Sequence, residues 1–207
     1  MRKILFLLVS IAAVSALALG SSAVMADDQQ GDDDGVACTT TTTTTTGGES
    51  GDDRVARTAS DENGTQGDDD VSGTDGEDHV SGASGDDEID GNEGDDDLCG
   101  DDGNDHLKGG AGNDQLSGGA GNDDVQGQQG SDTEYGDAGA DDLEGNSGND
   151  TLVGGAGSDR ISGGSGRDRI LARDGRRDHI TCGTGVDTVR ADRNDAVAAN
   201  CEHVSRR

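Results

Sequence analysis

Fourteen aspartates recur along this chain at a nearly fixed spacing, and carboxylates set out in this way are suited to holding cations. They are Asp69, Asp78, Asp87, Asp96, Asp105, Asp114, Asp123, Asp132, Asp141, Asp150, Asp159 and Asp168, nine residues apart, then Asp178 and Asp187 after one extra residue. Twelve of them stand two residues after a glycine of the column that runs from Gly67 to Gly175. Two residues beyond each aspartate comes an aliphatic, from Val71, Val80 and Ile89 to Ile180 and Val189, and only Glu134 breaks that column. Carboxylates joined by turn carbonyls make a hard, oxygen-only donor set. Calcium suits such a set, because it accepts roughly six to eight oxygens in loose geometry.

The elements that must position these carboxylates follow from the same spacing. In a three-residue strand of the form x-aliphatic-x, side chains alternate, so the aliphatic points inward and its neighbours outward. The six residues left in each unit are rich in glycine and can turn with positive φ. Two nine-residue units then make one coil of about eighteen residues, and each unit stacks on the next but one. The aspartates divide into two ladders, one through Asp69, Asp87 and Asp105 to Asp178, the other through Asp78, Asp96 and Asp114 to Asp187. Stacked carboxylates repel one another unless a cation intervenes.

The stretches Gly109-Gly110-Ala111-Gly112-Asn113-Asp114-Gln115-Leu116-Ser117 and Gly118-Gly119-Ala120-Gly121-Asn122-Asp123 match the nonapeptide G-G-x-G-x-D-x-U-x. In these motifs the chain resembles the RTX, or haemolysin-type, calcium-binding family. The resemblance covers residues 67 to 192, about 126 of 207. It implies an all-β fold, a right-handed parallel β-roll of about seven coils with two repeats per coil, and calcium held between stacked turns. Seven aspartates per ladder leave six gaps, so two ladders offer at most twelve sites.

Arg2 and Lys3, the apolar run from Ile4 to Leu19 and the small-residue site ending at Ala26 predict a secretory signal peptide over residues 1–26. No later segment is apolar enough for a membrane span. An exported chain is expected, leaving by the general secretion route and not by the one-step exporter that serves many RTX proteins. Without Arg2 and Lys3 the basic residues number 13 against 45 acidic, a net charge of −32. Nucleic acid is thereby disfavoured as a partner. Twelve calcium ions would bring +24 and leave about −8, relieving most of the self-repulsion that opposes compaction. Tyr135 is the one aromatic after the signal, so no conventional globular core is available and folding coupled to metal is expected.

Residues 27–66 read as a low-complexity segment with an eight-threonine run, Thr39 to Thr46, and a degenerate repeat near residues 51–59. The β-roll proper spans 67–181. Residues 182–207 hold the last repeat and look like the C-terminal cap of secreted bacterial calcium-binding repeat proteins. Charge changes sharply towards that end: residues 160–207 hold 10 basic and 7 acidic groups, against 3 and 38 in residues 27–159. In an exported chain Cys182 and Cys201 are expected to form a disulfide. Cys38 and Cys99 remain as a second candidate pair, although Cys99 falls at an outward position.

Other chemistries find little support. Asp86 to Asp97 resembles an EF-hand loop, but it lacks the flanking helices and the last glutamate. His79, His106 and His179 fall outward in different coils, where zinc would need them to converge. Neither H-E-x-x-H, G-x-S-x-G nor a phosphate-binding glycine loop occurs, so an enzyme is not expected. The outward residues are too mixed for an ice-binding face. A disordered calcium buffer would need the acids but not the aliphatic column. Glu134 in the inward column signals either a functional ion site or a local slip that lets Tyr135 cover its coil, and the slip is the favoured reading.

Overall fold

A computed structural model describes residues 53–56 and 61–207 of the chain. The expected signal peptide, the threonine run and Cys38 lie outside the described residues. The sequence period fixes the local structure directly. In Gln115-Leu116-Ser117 the alternation sends Leu116 inward, where it is fully buried, and the same holds for Leu98, Leu107 and Leu152. Burying each such leucine contributes roughly 2 kcal/mol.

All strands of the described residues are parallel and sort into two ten-stranded sheets, taken alternately by successive units. Partners in the regular part stand one coil apart, as in Leu107 against Val125 and Leu98 against Leu116. One inner column therefore runs Val71, Ile89, Leu107, Val125, Leu143, Ile161 and Ile180. The other runs Val80, Leu98, Leu116, Glu134, Leu152, Ile170 and Val189. Between them they form one continuous apolar core. No helix occurs among the described residues, and none there is long and apolar enough to cross a membrane.

The solenoid makes about eight turns, more than the seven expected, because both ends continue the ladders. Strand Asp53–Ala56, within the degenerate repeat, pairs with Asp69–Ser72. At the other end Ala196–Val197 and His203–Arg206 pair with His179–Gly185 and Thr188–Ala191. The extra residue before Asp178 is absorbed in the turn around Gly175, and Ile161 still faces Ile180.

Turn glycines are obligatory for a steric reason. Gly121 has φ +154°, and a Cβ there would overlap the carbonyl oxygen of Gly103, one coil below. Coils stacked at sheet spacing leave no volume for a side chain at this point.

One expectation is corrected. Glu134 does not slip: it stays in register between Leu116 and Leu152 and is fully buried. Its strand keeps parallel hydrogen bonds on both sides, which hold the alternation and carry the carboxylate into the core. Cys99, though on the outer face, is only 7 % exposed. It is disulfide-bonded, while Cys38, its expected partner, lies outside the described residues. Cys182 and Cys201 form a disulfide with Cα atoms 5.2 Å apart, joining the last full turn to the closing segment.

Candidate metal centre

Each ladder aspartate stands two residues before an inward residue and so points to the same inner face. All fourteen expected positions, Asp69 to Asp187, are buried at 3 % exposure or less. Their carboxylates line the inside of the turns. Within a ladder, Oδ1 of one aspartate accepts the backbone N–H of the aspartate one coil earlier: Asp69 donates to Asp87 at 2.8 Å, Asp87 to Asp105 at 2.8 Å, and Asp105 to Asp123 at 2.9 Å. The second ladder repeats this from Asp78 through Asp96 and Asp114 to Asp132. An N–H dipole therefore stands between successive carboxylates.

The other oxygen is left over. Oδ2 is buried without a hydrogen-bond partner in eleven of these aspartates, namely 87, 96, 105, 114, 123, 132, 141, 150, 159, 168 and 187. Asp69 and Asp78 differ, since Thr65 and Thr74 donate their N–H groups to Oδ2 at 2.6 and 2.7 Å. An unpaired carboxylate oxygen in a dry site is costly, so its surroundings indicate what completes it. A methyl group on Gly136 would lie 2.6 Å from Asp141 Oδ2 and 2.5 Å from the Gly154 carbonyl oxygen. Around Gly145 the corresponding atoms are Asp150 Oδ2 and the Gly163 carbonyl, both at 2.7 Å. Two oxygens of different coils thus converge beside a glycine that leaves the space open. Among the described residues no three carboxylate, imidazole or thiol groups come together. A cation here would take one carboxylate and fill its shell with carbonyl oxygens, which fits calcium and disfavours zinc.

Electrostatics lead to the same chemistry. Burial is the main cause that raises the carboxyls of Asp105, Asp141 and Asp150 to about 7, with the backbone N–H at Oδ1 opposing and neighbouring aspartates adding to the rise. Asp96, Asp123, Asp132, Asp159 and Asp178 are raised to about 6, again chiefly by burial. Such groups bind a proton or a cation more readily than a solvated aspartate does.

The turns are not equivalent at the C-terminal end. The inward glycine is replaced there by Ala172, Cys182 and Ala191, which are buried and join the core. The glycine that stands beside each earlier carboxylate is therefore missing next to Asp178 and Asp187. The ladders close on two further acids: Asp178 donates its N–H to Asp195 Oδ1 at 3.2 Å and Asp187 to Glu202 Oε2 at 3.0 Å, while Asp187 Oδ2 stays without a partner. Asp195 and Glu202 were not legible as ladder members, because the closing coils are shorter than the repeat. An asparagine column was also missed. Asn104 donates its N–H and its side-chain amide to Asp86 Oδ1, and Asn122 does the same to Asn104 Oδ1 at 3.0 Å. The G-N-D triplets at 103–105, 112–114, 121–123 and 148–150 were the signal for such asparagines. His79 and His179 are exposed, and His106 faces Asp124 at 3.8 Å. Arg173 donates to the Ser205 carbonyl at 3.1 Å and Arg206 to that of Asp195 at 3.0 Å, which ties the last coils together.

A parallel β-solenoid with carboxylates stacked inside glycine turns is the architecture of a calcium-binding repeat protein. The RTX calcium-binding nonapeptide repeat matches residues 63–98, 100–134 and 135–170, and the chain belongs to that family. No curated protein matches it.

Proposed function

We propose that this chain is a secreted calcium-binding module whose β-roll folds as calcium binds between stacked turns, and that it serves a structural or adhesive role outside the cell or in its envelope. The observation that carries this reading is the column of buried, partnerless Oδ2 atoms, ten of them, from Asp87 to Asp168, each beside a glycine. Calcium, when bound, supplies the positive charge those oxygens lack. The rest is done by the chain. Its N–H groups orient each carboxylate, its glycines leave the volume, and its aliphatic columns keep water out. Asp87, Asp96, Asp105, Asp114, Asp123, Asp132, Asp141, Asp150, Asp159 and Asp168 are the residues best placed to hold ions. Export is supported by the leader-like start and by a disulfide of the kind that persists outside the cytosol. No catalytic role is assigned.

The test is far-UV circular dichroism of residues 27–207 after chelation, titrated with calcium and in parallel with magnesium. A cooperative gain of β signal with calcium alone is the expected result. Calcium bound without any gain in structure would favour a disordered buffer. Full β structure in chelator would overturn metal-coupled folding.

A further inference from the structure

Glu134 is the one residue of the two inner columns that carries a charge, and it is fully buried. Its Oε1 accepts the Gly127 N–H at 3.2 Å, while Oε2 has no partner. Asp132 lies two residues earlier on the same strand face, is 1 % exposed, and also has a partnerless Oδ2. The two carboxylates converge on one point. A methyl group on Gly127 would lie 2.5 Å from Asp132 Oδ2 and 2.6 Å from Glu134 Oε1, so those oxygens are at most about 5 Å apart. At Gly136, Gly145 and Gly163 the second oxygen is a neutral backbone carbonyl. At Gly127 it belongs to a carboxylate.

We propose that Asp132 and Glu134 together hold a divalent cation on the inner side of the roll beside Gly127, a site with one more carboxylate than the repeat itself provides. The inference rests on the calcium-binding reading above and adds to it. Two dry carboxylates at this separation repel unless a proton or a cation comes between them, and a cation neutralises both. The hydrophobic walls, Leu116 and Leu152 above and below, exclude the water that would otherwise screen them. Affinity in oxygen-donor sites rises with the number of charged ligands. This site therefore fills first and empties last.

The experiment uses residues 27–207 as wild type, Glu134→Gln and Glu134→Leu, with calcium alone as the probe. Bound calcium is counted by atomic emission after equilibrium dialysis at stepped free calcium. Gln keeps the shape without the charge, and Leu restores the aliphatic column, so circular dichroism in saturating calcium should show both variants folded. The expected result is that wild type retains one ion at free calcium about tenfold below that which empties the rest, and that in each variant no ion is held more tightly than the others. Variants that bind the same number of ions over the same range would overturn the proposal while leaving the calcium reading intact. Wild type that binds no calcium would overturn both.

Discussion

Asp123 accepts the backbone N–H of Asp105 on Oδ1 at 2.9 Å and keeps its Oδ2 buried without a donor. From Asp87 to Asp168 each ladder aspartate is thus half satisfied by the coil before it. The stacking hydrogen bond fixes where the carboxylate points, and the unmatched oxygen determines what it can bind.

Replacing Asp141 by Asn tests that division. The amide oxygen can keep the Asp123 N–H, and the amide NH2 can donate to the Gly154 carbonyl. The variant is expected to bind fewer calcium ions and to be more stable than wild type in chelator by about 1–3 kcal/mol, the penalty of an unsatisfied buried group. Calorimetric calcium titration and thermal melts in chelator would check both.

The metal-free chain should respond to pH in the acid direction. Aspartates raised to about 6 or 7 in the fold and near 3.8 when unfolded hold more protons in the folded state. Their repulsion and desolvation penalties are full above pH 7 and ease as pH falls towards 4, so stability in chelator rises over that window. Calcium affinity falls over the same window, because protons compete for the carboxylates. β signal in chelator that weakens steadily from pH 7.5 to pH 4.5 would contradict this.

Gly121→Ala should be far more damaging than Gly175→Ala. The first forces a Cβ into the Gly103 carbonyl, whereas nothing lies within 4 Å of a Cβ at Gly175, whose φ is +86°. A loss of about 3 kcal/mol or more is expected at Gly121 and about 1–2 kcal/mol at Gly175. In thermal melts with saturating calcium, the two losses should separate the midpoints by several degrees.

Leu107→Ala removes a fully buried side chain from the middle of a column and is expected to cost about 2–5 kcal/mol. Val204→Ala, at a position 39 % exposed in the last strand, should cost well under 1 kcal/mol. Chemical denaturation in calcium gives both values, and equal losses would argue against a single continuous core.

Opening the Cys182–Cys201 disulfide by Cys201→Ser releases a closure of sequence separation 19 and should destabilise the roll by about 3 kcal/mol in the chain-entropy account. Local opening should begin in strands Ala196–Val197 and His203–Arg206. Hydrogen exchange would show protection lost there first.

Much of the fold was legible because its rules are local. A strand alternates with period two, so the residues at Leu98, Leu116 and Leu152 had to share a face with their aspartates. Glycine every nine residues marked the turns. The coil length followed from these two facts, and so did the continuity of the array through the extra residue near Gly175. The aspartates were legible as a column but not as individual ligands, because the sequence says nothing of what each oxygen meets.

The sequence by itself determined the repeat, the inward aliphatic and carboxylate columns, and the acidic charge that calls for a cation, since each follows from residue type and spacing along one strand. Only the tertiary structure decided that an N–H separates stacked aspartates, that Ala172 and Cys182 fill the last turns, that Asp195 and Glu202 close the ladders, and that Glu134 stays in the core. Those outcomes are contacts between residues one coil apart. They depend on the rise and register of stacked turns, in which a misfit at one position is overruled by the hydrogen bonds of the coils above and below.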